Sequence, residues 1–499
     1  MKTITKSIVG LMIIGLVIAL LLGIFMQNQP IVVQAQDDAA LVWQVGGQPG
    51  QTSGLGTLFW QSGSGIDPAK LADVPDEGGG TLVFPCGPDA VMADGSAMMA
   101  YIGREVGGPE RGGLYRVGLQ EGGELTRLAD VHALACIGRG MATFSPNGSR
   151  WAYLDYPADV TRTSVFAYGD LHVLSVPDGA LLDSAEDIVA FDLRDDGAYV
   201  VEFFTDGQGK ADEAAVFWWT GEGVREWAAF EPAEDCQWTS AAVAATPAGD
   251  TVAVSLGETC ENIGSQWRLF SVTQDGVTTE HVNMPAGGRY LPHVTDNQLY
   301  YLPDGQHVLA TVPDGSGRTV NLVLAALAEN TVTLVSENVM VDALPGGRSY
   351  NMQLSPDGKL LAFVSKTPNN ENAIHRLSLD GSYEPLTLSA GARNDEVSSF
   401  AFRPDNGLVY IAGGVDGRDN SMMLLPVTAT EPQRLTRGEF LRDNLVVTDD
   451  VALALNFIAP DDDYKDPAAD LLRVSNEGMT AVVVDGRQSV AVAHPLWWR

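Results

Sequence analysis

Residues 354–365 read "LSPDGKLLAFVS". In Ser355-Pro356-Asp357-Gly358, proline pre-sets φ for the first turn position and aspartate tolerates the next, while Gly358 can take φ > 0 at no steric cost. Leu360-Leu361-Ala362-Phe363-Val364 follows as a mostly apolar strand, the composition expected when both faces are packed. The stretch is therefore a tight turn feeding a buried strand.

The chain says it repeatedly. Related stretches are "MADGSAMMAYIG" (92–103), "FSPNGSRWAYLD" (144–155), "LRDDGAYVVEFF" (193–204), "ATPAGDTVAVSL" (245–256), "YLPDGQHVLATV" (301–312) and "FRPDNGLVYIAG" (402–413), with a worn eighth copy at "VTDDVALALNFI" (447–458). The motif glycines fall at 95, 148, 197, 249, 305, 358 and 407, so neighbouring copies lie 49–56 residues apart. A period near 50 marks a repeat architecture. Each copy continues in the same order: a polar loop, a strand such as "AIHRLSL" (373–379), a second turn at Asp380-Gly381 and a strand "EPLTLS" (384–389). With the strand before the motif turn, this makes four antiparallel strands, a to d. Units of this kind, stacked in number, build a β-propeller.

The S-P-D-G-K turn followed by L-A-F, a c strand and "LT" closing d resembles the TolB-type propeller repeat over roughly residues 85–490. The WD and G-H signature of the other common propeller repeat is missing, as is the S-x-D-x-G-x-T-W box of sialidase-type blades. The separate α/β domain that precedes the TolB propeller has no room between residues 36 and 90. The resemblance implies an all-β propeller; it carries fold, not function. Eight units are countable between 85 and 490, and "VAVAHPLWW" (490–498) reads like an a strand for which "ALVWQV" (40–45) would be the b strand. Eight blades are expected, with seven as the alternative, and pairing of the terminal strands would remove the open edge of a circular fold.

Composition agrees with many turns: 54 glycines and 26 prolines make about 16% of 499 residues, against roughly 12% in average usage. Lys2 and Lys6 precede an uncharged run from Ile8 to Met26, which at about 1.5 Å per residue nearly spans a bilayer core of roughly 30 Å. The lysines hold the N-terminus inside, so residues 36–499 are expected outside the cytoplasm. Val33 and Ala35 in "VVQAQDD" also fit a cleavage site, so residues 1–35 read either as a removed signal peptide or as a retained anchor through the membrane. The formal charge of −34 excludes a nucleic-acid footprint, which must be basic.

Cys86, Cys136, Cys236 and Cys260 form an even set in an extracytoplasmic chain, which points to disulfides. Cys236 and Cys260 flank the turn at Gly249, so the hairpin brings them opposite one another. Cys86 and Cys136 occupy similar places in neighbouring units. These two pairings are expected, and a C-x-x-C zinc pattern is absent.

In an up-down blade the b–c loops and d–a connections emerge on one face, and here the b–c loops are the long ones: 104–113, 155–170, 205–214, 414–421 and 459–470. Long loops on a rigid scaffold tend to carry function. This face, expected to hold all four cysteines, is the expected binding face for a protein or envelope ligand. Asp461, Asp462, Asp463 and Asp466 are its densest carboxylate cluster; calcium needs several oxygen ligands at once, but the spacing matches no calcium loop. No cofactor is otherwise expected.

The sequence has no G-x-S-x-G, no H-E-x-x-H and no phosphate loop. His375 on a c strand reads as structural, and Trp218-Trp219 and Trp497-Trp498 as packing between blades. The expectation is a non-catalytic binding or scaffold protein, anchored to the cytoplasmic membrane or secreted. The alternative is a propeller hydrolase or lyase with its active site at the central channel.

Overall fold

A computed structural model describes residues 40–45 and, with breaks in the connecting segments, 56–498. The Ile8–Met26 run, most of the long b–c loops and the four aspartates 461, 462, 463 and 466 lie outside the described residues. No helix among the described residues is long and apolar enough to cross a membrane.

The fold is a β-propeller. Among the described residues the strands fall into seven sheets, two of which each join two neighbouring units, so nine four-stranded blades can be traced. Blade 1 takes its a strand from Ala493–Trp498 and its b, c and d strands from Ala40–Val45, Thr57–Ser62 and Ala69–Asp73. The expected eight units are the eight that follow, from Leu82–Pro85 to Gly478–Ala481. The flanking strands complete a ninth blade, with Leu41 opposite Trp498 and Val45 opposite Ala493. Blades 3 and 4 share a single strand, Leu181–Leu193. Its first part pairs with Gly169–Ser175 as d of blade 3, and its second part pairs with Ala198–Thr205 as a of blade 4.

Blade faces meet in apolar seams, because a four-stranded sheet buried on both sides must pack against a neighbour on each. Ala253, Trp267 and Leu269 of blade 5 lie against Val308, Ala310 and Val312 of blade 6. The Trp218-Trp219 pair divides as a strand requires: Trp219 enters the seam with blade 3, and Trp218 lies against the seam with blade 5.

The recurring turn has a chemistry of its own. Gly358 N donates to Ser355 O at 2.8 Å and takes φ 69°. Ser355 Oγ donates to Asp357 Oδ1 (2.6 Å) and accepts from Leu360 N (2.9 Å), while Lys359 N donates to the same carboxylate oxygen (3.0 Å). Ser145-Pro146-Asn147-Gly148 repeats the pattern with asparagine as acceptor. The same turns are latched one blade onward: Asp357 N donates to Asn406 Oδ1 at 3.1 Å, and Asn147 N to Asp195 Oδ1 at 2.9 Å. Tyr199 Oη likewise donates to Gly249 O at 2.6 Å.

Two motif glycines play other parts than expected. In the 402–413 copy the left-handed position belongs to Asn406 (φ 65°), not to Gly407. At Gly197 φ is ordinary, and the need is space: a Cβ would sit 2.7 Å from the Trp218 ring. Asn406 thus serves twice, as a left-handed residue and as the acceptor for Asp357 N. Asn406→Ala is expected to lose about 1 kcal/mol for the backbone and about 1 kcal/mol for the hydrogen bond. Asn406→Gly should lose only the second part. Denaturant midpoints of the two variants check this, and equal values would refute the division.

Candidate binding face

The two ends of the blades differ in construction. At one end the a–b turns of blades 3 to 8 are only four or five residues long, and several are latched as described. At the other, the b–c connections of blades 2 and 3 are longer, from Gly103 to Arg111 and from Asp155 to Gly169, whereas that of blade 4, from Thr205 to Ala211, is shorter than expected and no longer than an a–b turn. The connections into the next a strand at this end contain left-handed non-glycine residues: Asp187 (φ 62°), Asp235 (φ 63°) and Asn338 (φ 55°). Each such residue costs of order 1 kcal/mol and persists only where surrounding structure holds it.

Both disulfides are present, Cys86–Cys136 and Cys236–Cys260. Cys236 opposes Cys260 directly where the a and b strands of blade 5 reach the b–c end. Cys86 lies elsewhere than expected. It follows the short a strand of blade 2 and its N–H donates to Met99 O, mid-strand in b. Its bridge reaches the 3-10 turn Ala133–Cys136, all four residues of which are buried. This disulfide therefore sits in the seam between blades 2 and 3, not on the loop face.

Near this end a polar cluster joins blades 2 and 3. Arg111 pairs with Asp155 at 2.5 Å and donates to the carbonyls of Asp130 and Tyr156, while Asp155 also accepts from His132 N. A second cluster lies in blade 5. Glu258, fully buried opposite Trp238, accepts at Oε2 from Ala233 N (2.9 Å). Arg268 lies 3.9 Å from that oxygen but makes its two-pronged contact with Glu280, at 2.9 and 3.1 Å. Its guanidinium also covers the rings of Trp238 and Phe270. The signal that could have marked this cluster in advance is "TVAVSLGETC" (251–260), which sets a glutamate inside an otherwise packed strand.

His375 lies across from Phe363 and is held at both nitrogens, Nε2 to Ser365 Oγ (2.8 Å) and Nδ1 to Thr387 Oγ1 (3.1 Å). Burial pushes its pKa down to about 4, so it is neutral at pH 7. Because the folded value lies below the ordinary 6.5, the unfolded chain takes the proton more readily. The contribution to stability is full above about pH 6.5 and is lost as pH falls towards 4, up to about 3 kcal/mol. Asp192 works in the opposite sense: burial raises it to about 6 against the pull of Arg194, and its carboxylate accepts from Ala245 N of the next blade. The His375 share is therefore read as a difference. His375→Gln should flatten the stability profile between pH 6.5 and 4 relative to wild type, and parallel profiles would refute it.

No family model and no curated protein matches the chain. Among solved structures, a eukaryotic initiation factor superposes at TM-score 0.50 and 11% identity, over 92% of this chain and 98% of its own. TolB from Acinetobacter baumannii gives 0.32 at 11% identity, over 69% and 62% of the two chains. A prolyl endopeptidase gives 0.41 at 12% identity, over 79% and 54%. At 11% identity the likeness to the initiation factor is one of fold alone.

Proposed function

We propose that this chain is a non-catalytic propeller of the TolB-type repeat class that binds a protein or envelope ligand through its b–c face, outside the cytoplasm. The observation that carries the reading is the contrast between the two ends of the blades. One end is spent on turns that bond to themselves and to the next blade. The other carries longer b–c connections, those after Gly103 and Asp155 among them, on a rigid frame, the usual setting of a binding surface. Two disulfides fit an oxidising compartment, and the Ile8–Met26 run would hold the propeller at the membrane or direct its export.

Photo-crosslinking tests the face directly. Thr205 and Glu261 are exposed at the b–c end, and Lys359 and Asp405 at the tight-turn end. A photoreactive residue at either of the first two should give adducts in intact membranes. Adducts confined to the second pair would overturn the assignment.

A further inference from the structure

Glu258 is an anomaly that the fold does not resolve. A fully buried carboxylate is costly unless paired and hydrogen-bonded at both oxygens. Here Oε2 has Ala233 N and a distant Arg268, while Oε1 has no hydrogen-bond partner among the described residues. One carboxylate oxygen and the sulfurs of Cys236 and Cys260 all lie within 4.8 Å of one another. Hairpin register makes this grouping: Cys236 pairs with Cys260, and Glu258 sits two residues before Cys260 on the same strand. No short-range spacing motif could reveal it, because the two cysteines are 24 residues apart.

We propose that Cys236, Cys260 and Glu258 form a redox-gated site for a borderline-soft divalent cation of the zinc class. In the oxidised state the sulfurs are bonded to each other and are poor donors, so the site is closed. A dithiol reductant opens it by exchange. Its two thiols become a disulfide, and the Cys236–Cys260 bond takes up the two electrons and two protons to give two thiols. Cation binding then releases both thiol protons to solvent, leaving two thiolates and the Glu258 carboxylate as ligands. Once unbonded, the sulfurs can separate to about 3.8 Å, the edge of a tetrahedron with metal–sulfur distances of about 2.3 Å. Two thiolates and one carboxylate suit zinc better than calcium or magnesium, which take oxygen ligands. Three protein ligands leave a fourth position for water. The cation also supplies the charge that the second oxygen of Glu258 lacks. Glu231, Glu234, Asp235 and Glu261 are exposed around the site and make its approach attractive to cations.

The test uses the full chain, reduced with a dithiol, desalted under anaerobic conditions and titrated with cobalt(II) as an optical probe for zinc. Reduced wild type should take one cobalt per chain with a thiolate-to-metal charge-transfer band, and oxidised wild type none. Cys236→Ser/Cys260→Ser, which keeps Cys86 and Cys136, should show no band after the same treatment. Glu258→Gln should keep the band with affinity weakened at least tenfold. If that variant fails to fold by circular dichroism, Glu258→Asp, which keeps the charge and shortens the reach, is expected to weaken binding likewise. A reduced wild type without the band overturns the proposal. So does a band that survives in the double serine variant, or unchanged affinity on altering Glu258.

Discussion

Trp151→Ala is expected to destabilise the protein by about 3–5 kcal/mol, the range for deleting a large, fully buried aromatic side chain. Trp151 is inaccessible to solvent and lies in the seam that joins blades 2, 3 and 4. Its ring packs 5.2 Å from Tyr153 and 6.5 Å from Phe144, centroid to centroid. Neighbours on paired strands of one sheet cannot collapse far into the void. Trp151→Phe provides the control. The indole N–H has no acceptor among the described residues, so phenylalanine discards an unpaired donor and leaves a smaller hole. It should lose under about 2 kcal/mol. Urea midpoints measure both, and a Phe variant as damaged as the Ala variant would show that the seam needs the full indole shape.

Cys86→Ala/Cys136→Ala should lose about 4 kcal/mol on the chain-entropy account of a crosslink, since the bridge closes 50 residues of sequence. The corresponding figure for Cys236–Cys260, with a sequence separation of 24, is about 3.5 kcal/mol. The difference in location should show more clearly than the difference in energy. Cys86–Cys136 ties blade 2 to the turn leading into blade 3, so its loss should raise hydrogen exchange on both sides of that seam. Loss of Cys236–Cys260 should raise it only at one end of the blade 5 hairpin. Exchange confined to blade 2 in the first variant would show that the bridge does not couple the blades.

Much of this architecture is legible in the sequence because its punctuation is chemical. Pro, Asp and Gly have few conformational uses in combination, so the order Ser-Pro-Asp-Gly-Lys at 355–359 declares a turn by itself. The pairing of Cys236 with Cys260 follows from the same turn logic. Expectation and fold part where a single residue has two reasons to be present. Gly197 looks like a turn glycine but makes room for Trp218, and Asn406 takes the left-handed position that Gly407 would be expected to fill. The shared strand Leu181–Leu193 leaves no mark, since no loop residues separate its two halves and only Asp187 turns left-handed within it. The Glu258 site leaves only one mark in the sequence, a glutamate inside a packed strand, and its grouping is hidden for a different reason. It depends on which residues a register places side by side, and on how far Arg268 is drawn away towards Glu280.

Blade 1 has a consequence in time. Its b strand, Ala40–Val45, leaves the ribosome long before its partner, Ala493–Trp498. At about 5–20 residues per second the interval is roughly 20–90 s, and throughout it the strand's outer edge stands unpaired. Eight blades can dock while the first waits half-built. Any chain interrupted before Ala493 therefore keeps an exposed strand edge that a finished chain lacks, a difference that quality-control factors can read without sensing anything else about the molecule.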